Sequence, residues 1–356
     1  MALSSDKVAS LYDDPQGCAE AAGLRYVAVD DEPGIRRVRR GQGFSYRQSG
    51  GKAVGAAVRK RIEALVIPPA WQDVWICRGA DGHIQAVGTD DRGRRQYLYH
   101  QRWREVRDLL NFCRLLSVGE QLPRIRSHIE AELRRRTVDR DLVLAAMLRI
   151  VDCCGIRAGS EIYAEENDSF GLSTLSRRHV TVSGKRVRLD FPAKSGQRAE
   201  VVIDDAAVAR VVRHLAARPG RRLFSVDGAS LGADEVNDEL ARLADARVTL
   251  KDFRTWRGTR VAFADLCEHL DAEDREAAVV AAVDAAAEQL GNTRAVARAH
   301  YVHPVVVEGY LDGGLKRFVS RWHGRTREGL DRDETVLLAY LEKAMTDPLA
   351  AMRSRR

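Results

Sequence analysis

The hydrophobic periodicity of the chain changes near Trp103, and this change constrains the fold more than any other feature. Before it, short alternating apolar runs are separated by turn residues, a pattern typical of β-strands. After it, apolar residues recur mostly at helical spacing. The 356 residues suffice for two domains that each bury a core. We therefore predict an α+β protein with a β-rich domain over residues 1–103 and a mostly helical domain over residues 104–356.

Four segments of the first domain have the composition of strands. They are Leu24–Val29, Phe44–Tyr46, Asp73–Arg78 and Ile84–Val87, the last two joined by a glycine turn as in a hairpin. Val54–Leu65 is the one clear helical segment, and two prolines follow it. The pattern predicts a small antiparallel sheet with one or two helices.

The second domain is predicted to be helical with one exception. Leu142–Val151 is apolar nearly all round, which predicts a buried helix, and Gly155 follows as a C-cap. Within 180–203 the apolar residues alternate on both sides of a turn, which predicts a β-hairpin with Lys194 at its tip. Further helices are predicted over 234–246, 251–270, 274–290 and 333–345.

Positive charge is concentrated in the first domain. The chain has 58 Lys+Arg against 51 Asp+Glu, a formal net charge of +7. Between Pro33 and Arg61 there are several arginines and lysines and no acidic residue. A second basic run near Arg92 is interleaved with aromatic residues. This pattern favours contacts with nucleic-acid phosphates and grooves, although a solvated arginine-rich face would look the same.

Several kinds of chemistry lack their usual motifs. The chain has no G-x-x-x-x-G-K-[ST] phosphate loop and no H-E-x-x-H zinc motif, and no acidic run resembles a two-metal nuclease. The six cysteines form no C-x-x-C pair. We therefore expect a reaction that needs no ATP, no metal and no other cofactor.

The most apolar stretch is Leu142–Ile156, and it is poorly suited to a membrane. Arg149 and Asp152 interrupt it, and it is shorter than the ~20 residues that a span requires. We expect a cytoplasmic protein without a membrane partner.

Eight motifs follow one another along nearly the whole chain. The first half contains PGIRRVRRGQGFSY, IPPAWQDVWI, GHIQAVGTDDRGRRQYLYH and LPRIR. The second half contains IRAGSEIYAEENDSFGLSTLSRRHV, FPAKSG, KDFRTWRGT and GNTRAVARAHYVHP. In this order and spacing the chain resembles the type IB DNA topoisomerases of bacteria and poxviruses. The resemblance implies a monomer that closes as a clamp around double-stranded DNA at the bacterial nucleoid and relaxes supercoils.

The resemblance also implies the residues of the site. Tyr301 matches the nucleophile, Arg157 and Arg254 match the catalytic arginines, Lys194 matches the general acid, and Asn292 occupies a position held by histidine or asparagine. The implied DNA contacts are Gln96, Tyr97, Tyr99, Arg94, Arg95, Ser160 and Tyr163. Ser160 stands where relatives often carry asparagine or lysine.

These residue types suit the implied chemistry. A phenol with a pKa of about 10 is rarely ionised at neutral pH, so an attacking tyrosine needs cations that stabilise its phenolate. Two guanidiniums can hold the oxygens of a pentavalent phosphorane. Lys194 can protonate the leaving 5′-oxygen, whereas Asn292 can donate a hydrogen bond but cannot titrate. A covalent 3′-phosphotyrosine would preserve the bond energy, so resealing needs no ATP.

The spacing of Asn292 and Tyr301 predicts an interruption. Nine residues on one continuous helix turn about 900°, which places the two side chains on opposite faces and ~13 Å apart along the axis. They could not then contact one phosphate. We therefore predict a bend or turn between them, helped by Pro304, which disfavours helical geometry at the preceding residue.

The sequence also fits other functions and other roles for single residues. The same catalytic set occurs in tyrosine site-specific recombinases, and an inactive nucleoid-binding protein would share the charge pattern. Arg157 could pair with Glu161 or Glu165, and Lys194 could be merely solvated. Tyr97 and Tyr99 share one face of a predicted strand and could be core residues.

Overall fold

The computed structural model of the protein describes residues 11–345, with the exception of the Ser195 side chain. The chain divides into two compact units, of which one ends at Arg114 and the other begins at Leu115. Within residues 11–345, we find no helix with the length and apolar character that a membrane crossing requires.

The first unit contains a five-stranded antiparallel sheet. Its strands are β1 (Ile35–Arg40), β2 (Gly43–Gln48), β3 (Gln72–Ile76), β4 (Ile84–Thr89) and β5 (Arg95–Tyr99), in the spatial order β2-β1-β3-β4-β5. Two short helices accompany it, α1 (Pro15–Ala21) and α2 (Ala56–Ala64). The prediction of a small antiparallel sheet with one or two helices is confirmed.

One prediction for this unit was wrong. Leu24–Val29 is not a strand, since only Arg25 forms a bridge, to Gly82. The backbone N–H of Val27 donates instead to Nδ1 of His83, at 3.0 Å. Val27 itself is buried against one face of the sheet, so the segment covers the sheet and does not extend it.

The second unit is mostly helical. Its helices, with the one that leads into it, are α3 (Gln101–Leu133), α4 (Arg140–Cys154), α5 (Glu161–Asn167), α6 (Ala206–Ala216), α7 (Ala233–Leu243), α8 (Leu250–Glu268), α9 (Arg275–Leu290), α10 (Arg294–His300), α11 (Pro304–Leu311), α12 (Gly314–Val319) and α13 (Arg332–Ala344). The predicted helices over 234–246, 251–270, 274–290 and 333–345 are confirmed, with small shifts at their ends.

Helix α4 is the buried helix that the sequence predicts. The Asp139 carboxylate caps its start by accepting from the Leu142 N–H, and Gly155 ends it with a φ of 61°. The left-handed backbone conformation at this position favours glycine. Most side chains of α4 belong to the main hydrophobic core of the unit. The helix therefore holds the chain that follows Gly155 in a fixed place.

A small antiparallel sheet interrupts the helices. Its strands are β6 (Val180–Ser183), β7 (Arg186–Pro192) and β8 (Arg198–Asp204), with β7 in the middle. The predicted hairpin corresponds to β7 and β8, and a short 3₁₀ turn over Lys194–Gly196 forms its tip. The sequence did not distinguish the third strand, β6. Two further strands, β9 (Ser225–Val226) and β10 (Ala229–Ser230), form a separate two-stranded pair.

Candidate active site

Arg157 lies three residues beyond the end of α4, where a second segment fixes its backbone. The Leu172 N–H donates to the Arg157 carbonyl at 2.8 Å. This approach requires glycine at position 171, because a Cβ there would lie 2.6 Å from the Arg157 carbonyl oxygen and 2.5 Å from the Gly159 nitrogen. The backbone of Arg157 is therefore held by main-chain contacts on both sides.

The Arg157 guanidinium points to the end of α9. Its Nη2 donates to the Gly291 carbonyl at 2.8 Å and to Oδ1 of Asn292. The alternative pairing with Glu161 is not observed, because the Glu161 carboxylate binds Arg222. Arg157 thus joins two segments that each carry a predicted site residue.

Arg254 lies in the first turns of α8 and is only 4% exposed. Its guanidinium donates to the Gly155 carbonyl and, at 3.1 Å, to the Leu290 carbonyl. Cζ of Arg254 lies 5.0 Å from the centre of the Tyr301 ring. Burial lowers the pKa of Arg254, and the Tyr301 phenol opposes this shift by a hydrogen bond and by its charge when ionised. The guanidinium remains a cation at physiological pH.

The start of α8 is held by a capping box. The Asp252 carboxylate accepts from the Thr249 N–H at 2.8 Å and from the Thr249 hydroxyl at 2.7 Å. These bonds satisfy a backbone donor at the helix start. Arg254 is therefore fixed by its helix as well as by its own hydrogen bonds.

Tyr301 follows α10 directly and is half-buried. The Thr259 hydroxyl donates to the Tyr301 carbonyl at 3.1 Å. A Cβ at position 258 would lie 2.7 Å from the same carbonyl oxygen, so glycine at 258 allows the close approach. Arg254 and Gly258 are four residues apart, and side chains at this spacing share one face of a helix. One face of α8 thus carries a guanidinium and contacts the tyrosine beside it.

Asn292 lies between α9 and α10, outside both helices. Its Nδ2 is buried and has no hydrogen-bond partner among the described residues. The predicted interruption is confirmed, since no straight helix joins Asn292 to Tyr301. It lies immediately before α10, however, and not at Pro304, which begins α11.

Lys194 is exposed at the hairpin tip. A cavity of about 230 Å³ lies beside the arginines. Its lining includes Arg157 and Arg254 together with Ala193 and Gln197, which flank the tip. The structure therefore brings Arg157, Arg254, Asn292 and Tyr301 together and places the segment that carries Lys194 at the border of the cavity that the two arginines line. Residues 11–345 contain no cluster of three or more His, Cys, Asp or Glu side chains that could hold a metal ion.

The predicted DNA-contact tyrosines lie on β5 of the first unit. Tyr97 is 40% exposed, whereas Tyr99 is half-buried. The Tyr99 ring stacks on Tyr97 at 5.9 Å and on Trp103 at 6.2 Å. Burial raises the pKa of Tyr99. Tyr99 therefore belongs partly to the core, and Tyr97 presents more of its ring to solvent.

Carboxylates already pair with the polar candidates near these tyrosines. Nε2 of Gln96 donates to Asp90 at 2.9 Å, and Nη2 of Arg94 lies 2.8 Å from the same carboxylate. Desolvation opposes ionisation of Asp90, but hydrogen bonds from the Arg94 backbone and side chain lower its pKa to about 2. Arg95 pairs with Asp30 at 2.8 Å and lies over the Tyr97 ring at 5.5 Å.

The strand register shows which basic side chains of the first unit share one face of the sheet. Opposed residues form one row across all five strands, namely Arg47, Arg36, Trp75, Val87 and Tyr97. Trp75 and Val87 are buried with Val27, so the exposed part of the row is Arg47 and Arg36 at one end and Tyr97 at the other. Side chains alternate along a strand, so Arg40 shares this face with Arg36. Arg37 points to the other face, where it stacks on a phenylalanine and binds backbone carbonyls. Within the basic run, Arg37 is therefore structural, whereas Arg36, Arg40 and Arg47 form a solvated row.

The last two predicted contacts lie in the second unit. Ser160 is the N-cap of α5, and Tyr163 is exposed on that helix. Arg222 fixes the helix start by binding Glu161 and the Thr174 carbonyl. Both candidates therefore lie on a helix that follows Arg157 closely in the chain.

Two protein-family models match the chain, and several viral proteins are similar to it. A family model described as the catalytic core of eukaryotic DNA topoisomerase I matches residues 100–312, and one described as the N-terminal domain of bacterial DNA topoisomerase IB matches residues 43–90. DNA topoisomerase 1B of Acanthamoeba polyphaga mimivirus is 30% identical over 301 residues, which are 78% of this chain and 87% of the viral protein. DNA topoisomerase 1B of Vaccinia virus (strain Copenhagen) is 30% identical over 120 residues, 33% of this chain and 37% of the viral protein.

Proposed function

The chain belongs to the DNA topoisomerase IB family, and we propose that it relaxes supercoiled duplex DNA through a covalent tyrosine intermediate. It cuts one strand, allows that strand to rotate and reseals it without ATP or metal. The observation that carries this proposal is the position of the Arg254 guanidinium against the Tyr301 ring, 5.0 Å away. A phenol that must attack as its anion is more reactive beside a fixed cation.

In the proposed cleavage step, Tyr301 forms a bond to phosphorus and loses its phenolic proton to water. The bond from phosphorus to the 5′-oxygen breaks, and that oxygen takes a proton from Lys194. The product is a 3′-phosphotyrosine and a free 5′-hydroxyl. Resealing runs the same exchange in reverse, so no bond energy has to be supplied.

Three side chains are suited to stabilise the transition state. Arg157 and Arg254 carry permanent positive charge, and both line the cavity. Nδ2 of Asn292 is a buried donor without a partner among the described residues, and a phosphate oxygen would satisfy it. Because Oδ1 of Asn292 accepts from Arg157, the amide is oriented with its donor group away from that arginine.

For the duplex itself we propose two contact surfaces. The solvated row with Arg36 and Arg47 would bind phosphates, and Tyr97 would enter a groove, with Tyr99 supporting its ring. Ser160 and Tyr163 would approach DNA near the cleaved phosphate. We further propose that the protein acts on the bacterial nucleoid as a monomer that closes around the duplex.

Plasmid relaxation in EDTA without ATP tests the proposal most directly. We expect the wild-type protein to relax the plasmid and to form a covalent adduct with DNA. Tyr301→Phe should lose both activities and keep duplex binding, whereas Tyr26→Phe, which alters another partly exposed tyrosine, should behave as wild type. Relaxation by Tyr301→Phe would refute the proposed nucleophile. Strand exchange between two defined sites would instead favour a recombinase.

A modified substrate tests the role of Lys194. When sulfur replaces the 5′-oxygen, the leaving group is a thiolate, which needs no proton to depart. Lys194→Ala should therefore slow cleavage of the ordinary linkage far more than cleavage of the sulfur-containing one. Equal defects on both substrates would argue against a general acid.

A further inference from the structure

A buried ionic cluster lies in the second unit, outside the candidate site. At its centre is Arg126 of α3, whose side chain is 16% exposed. Its guanidinium donates twice to Asp152, at 2.8 Å, twice to Glu334, at 2.7 and 2.8 Å, and once to the Gly329 carbonyl, at 2.9 Å. All five N–H groups of the arginine are thereby used. One guanidinium binds two carboxylates, so the three ionised groups together carry one net negative charge.

The cluster touches the helix that precedes Arg157 and the helix that carries Arg254. Asp152 lies in the last turn of α4, three residues before Gly155, whose carbonyl accepts from Arg254. Glu334 accepts from Nε1 of Trp256 at 3.1 Å, and Trp256 follows Arg254 by two residues on α8. The cluster therefore connects the end of α4 to the first half of α8.

Trp256 cannot easily move away from this arrangement. Its ring lies so close to α3 that a Cβ at Gly119 would be 2.5 Å from it. The indole is 2% exposed. Glu334 comes from α13, which lies beyond the residues 100–312 that match the catalytic-core family model.

We infer that Glu334 is a positioning residue for the cleavage reaction, acting through Arg126 and Trp256 on the placement of Arg254 and Arg157. The inference rests on the proposed function, since it concerns the same reaction. Glu334 touches neither the cavity lining nor Tyr301 in the described contacts, so its effect is indirect. Helix α13 thus contributes to the chemistry although it carries no catalytic residue.

Glu334→Gln is the sharpest perturbation. Oε2 of Glu334 accepts from Arg126 and from the Asp331 N–H, and Oε1 accepts from Arg126 and Trp256. A glutamine amide in either orientation turns an NH₂ group toward two of these donors. The cluster must then rearrange, while the volume of the side chain is unchanged.

Glu239→Gln is the matched control. The Glu239 side chain is 8% exposed and binds Arg242 through both oxygens, at 2.6 and 3.0 Å. It lies on α7, which carries no candidate site residue. The same substitution is thus made at a similarly buried glutamate in the same unit, although its arginine partner is more exposed.

The experiment measures single-turnover cleavage of a duplex with one defined site. We expect Glu334→Gln to lower the cleavage rate roughly 10- to 100-fold with unchanged duplex affinity, because displacement of a catalytic group by about 1 Å has an effect of this order. Glu239→Gln should remain within about twofold of wild type, as expected for a substitution away from the site. A rate for Glu334→Gln equal to that of Glu239→Gln would overturn the inference.

A second substrate separates positioning from general destabilisation. A methylphosphonate at the cleaved linkage replaces one charged oxygen by a methyl group, so arginine placement matters less. The defect of Glu334→Gln should shrink to within about threefold on this substrate, since less charge has to be stabilised. An equal defect on both substrates would indicate a global structural effect and would also overturn the inference.

Trp256→Phe decides the question if Glu334→Gln fails to fold. It removes the N–H donor to Glu334 together with the part of the indole that packs against Gly119, and it keeps an aromatic ring. We expect a rate at least about fivefold lower, because one hydrogen bond is lost and a small cavity is left beside it. Wild-type kinetics in this variant would refute the connection. Absence of any adduct from the wild-type protein would instead refute the proposed function itself.

Discussion

Gly258→Ala places a methyl group against the backbone of the proposed nucleophile. The added Cβ would lie 2.7 Å from the Tyr301 carbonyl oxygen, whereas ordinary van der Waals contact begins near 3.4 Å. The two atoms must therefore separate by 3.4 − 2.7, or about 0.7 Å. The other close atoms are the Tyr301 Cβ and a terminal methyl of Leu290, of which only the latter moves easily.

The effects on stability and on rate should differ. Overpacking costs about 1–3 kcal/mol, and alanine in a helix recovers about 1 kcal/mol relative to glycine, so the net loss is about 0–2 kcal/mol. A displacement of the phenol by ~0.7 Å, by contrast, can slow an in-line attack by up to about 100-fold. We therefore expect a small change in thermal unfolding and a large loss of cleavage.

The assay pairs thermal unfolding with single-turnover adduct formation. Gly50→Ala is the control, because a Cβ at Gly50 meets no atom within 4 Å and Gly50 does not have a positive φ. It should leave both measurements unchanged. Wild-type cleavage by Gly258→Ala, at a temperature where it is folded, would refute the argument that the contact between α8 and Tyr301 fixes the nucleophile.

Three further predictions concern charge. Burial opposes ionisation of Glu334, but Arg126 lowers its pKa from 4.5 to about 2. The ionised Glu334 therefore stabilises the folded protein above pH 4.5, and this stabilisation is lost as the pH falls toward 2. It amounts to about 3 kcal/mol, and denaturant titrations at several pH values should show it in wild type and not in Glu334→Gln. Asn292→Asp should cleave more slowly than Asn292→Ala in single-turnover assays, because a carboxylate repels the phosphate; the reverse order would contradict the proposed donor role. Arg40→Gln should reduce the slope of log affinity against log salt by about one, whereas Tyr97→Ala should weaken duplex binding with little change in slope, and equal slopes for both would exclude a phosphate contact by Arg40.

Features with a local cause were predictable from the sequence. The buried helix α4 is specified by its continuous apolar composition, and Gly155 ends it because the left-handed backbone there favours glycine. The β7–β8 hairpin follows from alternating residues around a turn. The interruption between Asn292 and Tyr301 followed from helix geometry alone, although its position did not.

Features that depend on distant parts of the chain were not predictable in this way. Leu24–Val29 has the composition of a strand, but an apolar segment that covers a sheet has the same composition as one that extends it. Glu334 and Arg126 are separated by 208 residues, and no local pattern indicates their contact. The division of the basic run into Arg37 and the solvated row depends on strand register, which the sequence of one strand leaves open.

The candidate site combines firm backbone support with unsatisfied donors. The Arg157 and Tyr301 backbones are held by neighbouring segments, yet Nδ2 of Asn292 and Nε of Arg254 are buried without hydrogen-bond partners among the described residues. An unsatisfied buried donor costs about 1–3 kcal/mol, and this cost is removed when an acceptor arrives. A phosphate brings several acceptor oxygens and negative charge to donors that are already oriented. The groups that carry this cost would therefore stabilise the charged phosphorus centre, where the developing negative charge makes each of their hydrogen bonds stronger.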